Sequence, residues 1–122
     1  MIDQQWARTF AMDWIESWNA RDMDRILAHY TDDFEMSSPL IVERLGLPGG
    51  TLKGKEAVRD YWQPSVTMHP PLHFVLIDVF VGVEAITIYY NSVGRRMVAE
   101  TFLIDGAGKA TRGMALWSVT QT

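Results

Sequence analysis

A single carboxylate, that of Glu100, falls on an otherwise apolar face of a predicted strand over residues 97–104. Side chains alternate between the two faces of a strand, so Glu100 shares its face with Val98, Phe102 and Ile104. Burial among such groups disfavours the charged form of a carboxyl and raises its pKa. A carboxyl group with a raised pKa can give and take protons near neutral pH, as a general acid or base must.

The strand that follows decides what lies beside this carboxylate. A glycine-rich segment over 105–109 is suited to the positive φ angles of a hairpin loop, and it leads into a second strand over residues 112–118. The expected register places Gly113 opposite Glu100 and Trp117 at the end of the same row. A small residue leaves space and a large ring closes it, so the pattern predicts the floor of a pocket.

The strand that precedes the hairpin supplies a tyrosine. Residues 85–92 form this predicted strand, and a tight turn after it sets Tyr89 opposite Val98, on the face of Glu100. Two other roles for the carboxyl therefore stay open: a protonated donor to a ligand carbonyl, or a structural acid bonded to Tyr89 or Tyr30. The assignment depends on the turns, because a slip of one residue exchanges the faces of a strand.

Helical segments precede the strands. The apolar spacing predicts a helix over residues 3–19, with an aromatic residue every four positions, and a second helix over residues 23–30. A four-residue step drifts by about 40° per repeat around a helix, so Trp14 and Trp18 need not share the surroundings of Trp6. Trp14 and Trp18 are candidates for a pocket wall.

A loop of unusual length follows the first short strand. Residues 34–38 are predicted to form this strand, which Pro39 ends, and residues 40–53 are predicted to be a lid or binding loop. A third helix begins at residue 54, and Pro64 is expected to kink or end it.

The composition narrows the class of protein. The chain has 122 residues, which predicts one domain over 1–122, with 48% hydrophobic residues and a net charge of −4. No basic stripe suggests nucleic acid as a partner, and no apolar run approaches the roughly 18 residues of a membrane span. Without cysteine or a signal pattern, a cytoplasmic location is expected.

Neither a metal nor a cofactor is expected. His69 and His73 are four residues apart, but two prolines lie between them, so they cannot share a helix face as metal ligands. The glycines at 106 and 108 lack the following helix of a phosphate-binding loop.

The order of the elements, helices first and then a meander of strands, predicts an α+β fold. The face opposite Glu100 is apolar too, and the helices can cover only one face of a sheet. A homodimer in which a second copy covers the other face is therefore expected. That face contains Ala99, Thr101, Leu103, Met114 and Leu116.

Three stretches of the chain carry a family resemblance. They are WIESWNARDMD from Trp14, running through YTDDF at 30–34 to Pro39; GKEAVR at 54–59; and ETF at 100–102 through DGAGK at 105–109 to ALW at 115–117. Together they resemble the SnoaL-like and ketosteroid-isomerase-like branch of the nuclear transport factor 2 superfamily. The resemblance implies a cone, also described as cystatin-like: a curved mixed sheet wrapped around the N-terminal helices. It also implies a pocket at the open end and a dimer through the outer face.

The same resemblance argues against steroid isomerisation. Ketosteroid isomerase uses an aspartate base, a tyrosine donor and a protonated aspartate donor. By resemblance, Trp14 stands at the position of the tyrosine, Ser38 at that of the base, and Glu100 keeps the remaining carboxyl. Ser38 cannot accept a proton as a carboxylate does. The Asp-Arg-Asp arrangement of the related epoxide hydrolases is not recognisable either.

These observations predict a protein that binds a hydrophobic, ring-containing small molecule. As an enzyme it would be a cofactor-independent isomerase, cyclase or hydrolase with Glu100 as acid or base. The alternatives are a non-catalytic ligand-binding module and a protein-interaction module of the same fold. The predicted ligand-binding residues are Trp14, Trp18, Ser38, Tyr89, Phe102 and Trp117.

Overall fold

The computed structural model describes residues 1–120, in which six strands form one curved, unclosed sheet accompanied by helices. The strand order is β2-β1-β6-β5-β4-β3, and only the β1–β6 pair is parallel. The α+β class with a curved mixed sheet is therefore confirmed. The elements are α1 (Gln4–Asn19), α2 (Met23–Leu27), β1 (Tyr30–Ser37), α3 (Pro39–Leu45), β2 (Thr51–Lys53), α4 (Lys55–Thr67), β3 (Phe74–Val81), β4 (Ala85–Ser92), β5 (Met97–Ile104) and β6 (Ala110–Trp117).

Helix α1 lies against the inner face of the sheet and carries most of the predicted aromatic stripe into the core. The Asp3 carboxylate caps its first turn by accepting the Trp6 N–H at 2.9 Å. At its other end the Asn19 amide donates to the Phe74 carbonyl at 2.9 Å and accepts the Phe74 N–H at 2.7 Å. These two bonds fix the end of α1 to the start of β3, so the buried Trp14 and Trp18 lie over the sheet.

The β5–β6 hairpin has the predicted faces but a different register. Glu100 lies opposite Ala115, and Gly113 lies opposite Phe102. The predicted register, with Gly113 opposite Glu100, was wrong by two residues. The turn pairs Ile104 with Ala110 instead of Lys109, which accounts for one residue, and a bulge between Leu103 and Ile104 accounts for the other. Because a shift of two residues keeps the alternation, Glu100 still points to the inner face.

The β4–β5 pair differs by one residue, and that changes a face. Ile88 lies opposite Glu100, and Tyr89 lies opposite Ala99. The placement of Tyr89 on the glutamate face was therefore wrong, and Tyr90 occupies that face instead. The cause is the turn, in which residues 93–96 lie between the strands and the Ser92 N–H donates to the Arg96 carbonyl.

The predicted loop over residues 40–53 contains two elements, α3 and β2. Ser38 caps α3, because its hydroxyl accepts the Leu40 N–H at 3.1 Å, and Pro39 occupies the first turn, where a missing N–H costs nothing. Pro64 was expected to kink or end helix α4, and the helix does not end there, because it continues to Thr67. Val66, beyond the proline, is buried and anchors the last turn in the core.

The outer face of the sheet exposes several large apolar side chains. Its exposed members are Val75, Phe80, Leu103 and Leu116, with Phe80 56% and Leu116 52% exposed. The inner face instead contains the aromatic core. No helix within residues 1–120 has the length and apolar character to cross a bilayer.

Candidate functional site

A cavity of about 430 Å³ lies between the helices and the inner face of the sheet. Residues from α1, α3, α4, β4, β5 and β6 contribute to its wall, so the curvature of the sheet is what makes room for it. The wall is dominated by aromatic rings, which are Trp14, Trp18, Tyr61, Trp62, Phe74, Tyr90 and Trp117.

Glu100 lines the cavity and is only 7% exposed. The Tyr90 hydroxyl on the neighbouring strand donates to its Oε1 at 3.1 Å. Ala115 lies opposite on β6 and also lines the cavity. The predicted small neighbour is thus present, but it is Ala115 and not Gly113.

Burial raises the pKa of Glu100 to about 7, and the hydrogen bond from Tyr90 offsets part of that effect. Burial and the nearby Glu100 charge raise the pKa of Tyr90 well above its ordinary value, so its phenol stays protonated and keeps donating. The site therefore contains a carboxyl group that changes charge near neutral pH, next to a fixed donor. Such a group can transfer protons.

Trp14 lines the cavity, but its N–H is already engaged. The indole Nε1 donates to the Tyr30 hydroxyl at 2.8 Å inside the core. The ring stacks on Phe74, with centroids 5.8 Å apart and planes at 18°. Trp14 therefore contributes an apolar wall, and its N–H does not take the place of the donor tyrosine of ketosteroid isomerase.

Two other buried donors in the wall have no hydrogen-bond partner among the described residues: the Trp18 Nε1–H and the Tyr61 hydroxyl. The Ser38 hydroxyl lies near Tyr61, and the Tyr30 hydroxyl lies near Trp18, but neither pair forms a hydrogen bond. Most buried polar groups in folded proteins are paired. Unpaired donors in a cavity wall are candidates to bind a ligand oxygen.

Of the four remaining residues that were predicted to bind a ligand, two line the cavity and two do not. Ser38 and Trp117 line the cavity. Phe102 is on the inner face but lies behind the wall in the core, with its ring 5.8 Å from that of Tyr30. Tyr89 is on the outer face, as its pairing with Ala99 requires.

Sequence reasoning missed five residues that line the cavity: Arg44, Tyr61, Tyr90, Arg95 and Arg96. The error of one residue in the β4–β5 register placed Tyr89 on the inner face, where the structure has Tyr90. Tyr61 was recognised only as an apolar position of a helix, and Arg44 lay in a predicted loop that is in fact α3. Within residues 1–120, no group of three or more His, Asp or Glu side chains is close enough together to hold a metal ion.

Replacing Tyr61 with phenylalanine is expected to leave the free energy of unfolding unchanged or to raise it by up to about 1 kcal/mol. The reason is that a buried hydroxyl without a partner is removed from the ligand-free protein. Urea denaturation at pH 7 measures the change. The matched control is Tyr90→Phe, which loses the bond to Glu100 and should cost about 1–2 kcal/mol. A loss as large in Tyr61→Phe would show that its hydroxyl is bonded.

A curved mixed sheet over helices, with a cavity at its inner face, defines a nuclear transport factor 2-like fold. The model of the SnoaL-like domain family matches residues 11–121, so the chain belongs to the SnoaL-like family. The resemblance found in the sequence is confirmed. No match was found among curated proteins.

Solved structures of other proteins have the same fold. A SnoaL-like protein of unknown function from Burkholderia thailandensis E264 is 41% identical, with a TM-score of 0.92 over 96% of this chain and 98% of that one. A nuclear transport factor 2-like protein of unknown function from Burkholderia xenovorans LB400 is 17% identical, with a TM-score of 0.73 over 94% and 84%. TerC, co-crystallised with polyporic acid, is 16% identical, with a TM-score of 0.73 over 94% and 93%. The last two show the fold alone.

Proposed function

We propose that the cavity binds a hydrophobic, ring-containing small molecule and that Glu100 acts on it as a general acid and base. The observation that carries this proposal is a buried carboxyl with a pKa of about 7 in the wall of an aromatic cavity. The aromatic wall supplies apolar contact for a ring, and the carboxyl is the group that can react. Co-crystallisation of TerC with polyporic acid agrees with the binding part.

The simplest reaction for these groups is an isomerisation without a cofactor. Ionised Glu100 takes a proton from the carbon that lies between a ligand carbonyl and a carbon–carbon double bond. The C–H electron pair forms a double bond to the carbonyl carbon, and the carbonyl π pair moves onto the oxygen. The Trp18 N–H or the Tyr61 O–H donates to the resulting oxyanion. Protonated Glu100 then returns the proton to the far carbon of the original double bond, and the carbonyl re-forms as that double bond shifts towards it. A cyclase or hydrolase would use the same carboxyl as acid or to activate water.

Exchange of carbon-bound hydrogen in deuterium oxide tests the proposal without knowledge of the natural ligand. We expect the wild type to catalyse the exchange of hydrogen for deuterium at the carbon next to the carbonyl of cyclic ketones such as 1-tetralone. NMR spectroscopy measures the rate of this exchange. The rate should rise with pH and level off above about pH 7, because the base is the ionised carboxyl. Glu100→Gln should abolish the catalysed exchange while the ketone still binds.

The control is Glu84→Gln, which changes an exposed glutamate outside the cavity and should keep the wild-type rate. Wild-type exchange that persists in Glu100→Gln would show that another group is the base. Binding of the ketones without exchange would reject the acid–base role and leave a ligand-binding module. Absence of both would reject the proposal for this class of ligand.

The non-catalytic ligand-binding module is the second candidate, and one observation favours it. Of the three positions that ketosteroid isomerase uses, only Glu100 has a titrating group here. The Trp14 N–H is engaged with Tyr30, and the Ser38 hydroxyl accepts the Leu40 N–H. A site with one titrating group is compatible with a protein that only binds its ligand, as well as with an enzyme in which Glu100 alone transfers the proton.

We also propose that the protein is a homodimer and that it is located in the cytoplasm. The exposed apolar side chains of the outer face, among them Phe80 and Leu116, suit coverage by a second copy in a homodimer. A protein-interaction module would use the same face for a different partner. The cytoplasmic location stays a prediction from the sequence.

A further inference from the structure

The charges at the cavity mouth differ from those of the chain as a whole. The chain has a net charge of −4, yet three of its eleven Lys and Arg residues line the cavity: Arg44, Arg95 and Arg96. All three are exposed, whereas Glu100 is buried, so the arginines mark the mouth. Glu43 is the carboxylate that lines the cavity beside them.

These three guanidinium groups have no carboxylate partner among residues 1–120. Other arginines of the chain do: Arg25 lies 2.6 Å from the Asp13 carboxylate, and Arg59 lies 2.7 Å from that of Asp24. Not every arginine outside the cavity is paired, since Arg8, Arg21 and Arg112 also lack a carboxylate partner within residues 1–120. The mouth is distinct because three such guanidinium groups line a single cavity.

Aromatic residues of the wall hold two of these groups in place. The Arg96 guanidinium carbon lies 4.2 Å from the centroid of the Trp117 ring, and that of Arg44 lies 6.0 Å from the centroid of Tyr61. Cation–π contacts of this kind orient a guanidinium and leave its N–H groups free to donate. Arg44 comes from α3 and Arg96 from the β4–β5 turn, so two elements present donors at one opening.

We propose that the ligand is an amphipathic anion, with its ring in the aromatic cavity and a carboxylate or similar planar anionic group bound by Arg44 and Arg96 at the mouth. This inference rests on the proposed function, since it names the ligand class of the same cavity. The guanidinium fork matches a carboxylate with two parallel hydrogen bonds. The opposite orientation would bring the anion to Glu100, a buried carboxyl that repels it when ionised.

Two probes of the same shape test the inference: 2-naphthoate, which is an anion, and 2-naphthamide, its neutral counterpart. We expect 2-naphthoate to bind the wild type about 10-fold more tightly at low ionic strength, with the difference shrinking in salt. Isothermal titration calorimetry at pH 8 gives both affinities. Arg96→Gln and Arg44→Gln should each weaken 2-naphthoate by about 3- to 10-fold and leave 2-naphthamide within about 2-fold.

The matched control is Arg112→Gln, which removes the same charge from an exposed position on β6 that does not line this cavity. It should leave the binding of both probes at wild-type strength, whereas a loss equal to that of Arg96→Gln would mean that only overall charge matters and would overturn the inference. If 2-naphthamide binds as tightly as 2-naphthoate, the anion preference is wrong and the cavity proposal stands. If neither binds, the ligand-binding proposal fails for bicyclic rings, and this inference fails with it.

Discussion

Glu100→Gln is expected to remove most of the stability change that the protein shows between about pH 4.5 and pH 7. The pKa of Glu100 is about 7 in the folded protein and 4.5 when exposed, because burial penalises the carboxylate. The folded state therefore binds this proton more tightly than the unfolded state. Its contribution to stability is complete below about pH 4.5 and is lost as the pH rises through about 7. The full loss is about 3 kcal/mol.

Urea denaturation of the wild type and Glu100→Gln at several pH values between 4.5 and 8 measures this effect. The difference between the two proteins isolates Glu100, because all other titrating groups are shared. Glu84→Gln serves as the control and should follow the wild-type curve, since its side chain is exposed. Parallel curves for the wild type and Glu100→Gln would mean that the carboxyl reaches water and has an ordinary pKa. That result would also remove the main support for the acid–base proposal.

Gly113→Ala is expected to lower the free energy of unfolding by about 2 kcal/mol. A Cβ atom at this position would lie 2.9 Å from Cε1 of Phe102 and 2.9 Å from Cζ of Phe34. Both rings are buried, with Phe102 2% and Phe34 0% exposed, so neither can move aside without disturbing the core. Small additions to a well-packed interior force such rearrangements.

Gly106→Ala is the matched control, since a Cβ atom there meets nothing within 4 Å. Thermal or urea denaturation of the two variants should separate them clearly, with Gly106→Ala close to the wild type. Equal stability of the two variants would contradict the close contact and would suggest that the space beside Gly113 is open. That space would then extend the cavity, as the sequence alone suggested.

The class of fold, the span of the β4 and β5 strands and the direction in which Glu100 points could all be predicted from the residues alone. These depend on local properties: apolar periodicity, capping by Asp3 and the strict alternation of side chains in a strand. The direction of Glu100 survived an error of two residues in the β5–β6 register, because alternation has a period of two.

The neighbours of the carboxyl could not be predicted in this way, because they depend on how the strands pair. Tyr90 replaces Tyr89 because the β4–β5 turn spans residues 93–96, and one residue in a turn exchanges the faces of a whole strand. Ala115 replaces Gly113 beside Glu100, while the space at Gly113 is filled by two phenylalanine rings from β1 and β5.

Which residues line the mouth of the cavity likewise depends on contacts between segments that are distant in the sequence. Arg44 reaches it because residues 39–45 form a helix, and Arg96 reaches it because its guanidinium lies over the Trp117 ring of another strand. Local pattern fixes what a residue is and which face of its element it occupies. Which elements meet, and which side chains share a cavity, depends on how the sheet curves around the helices, and that is a property of the packed chain.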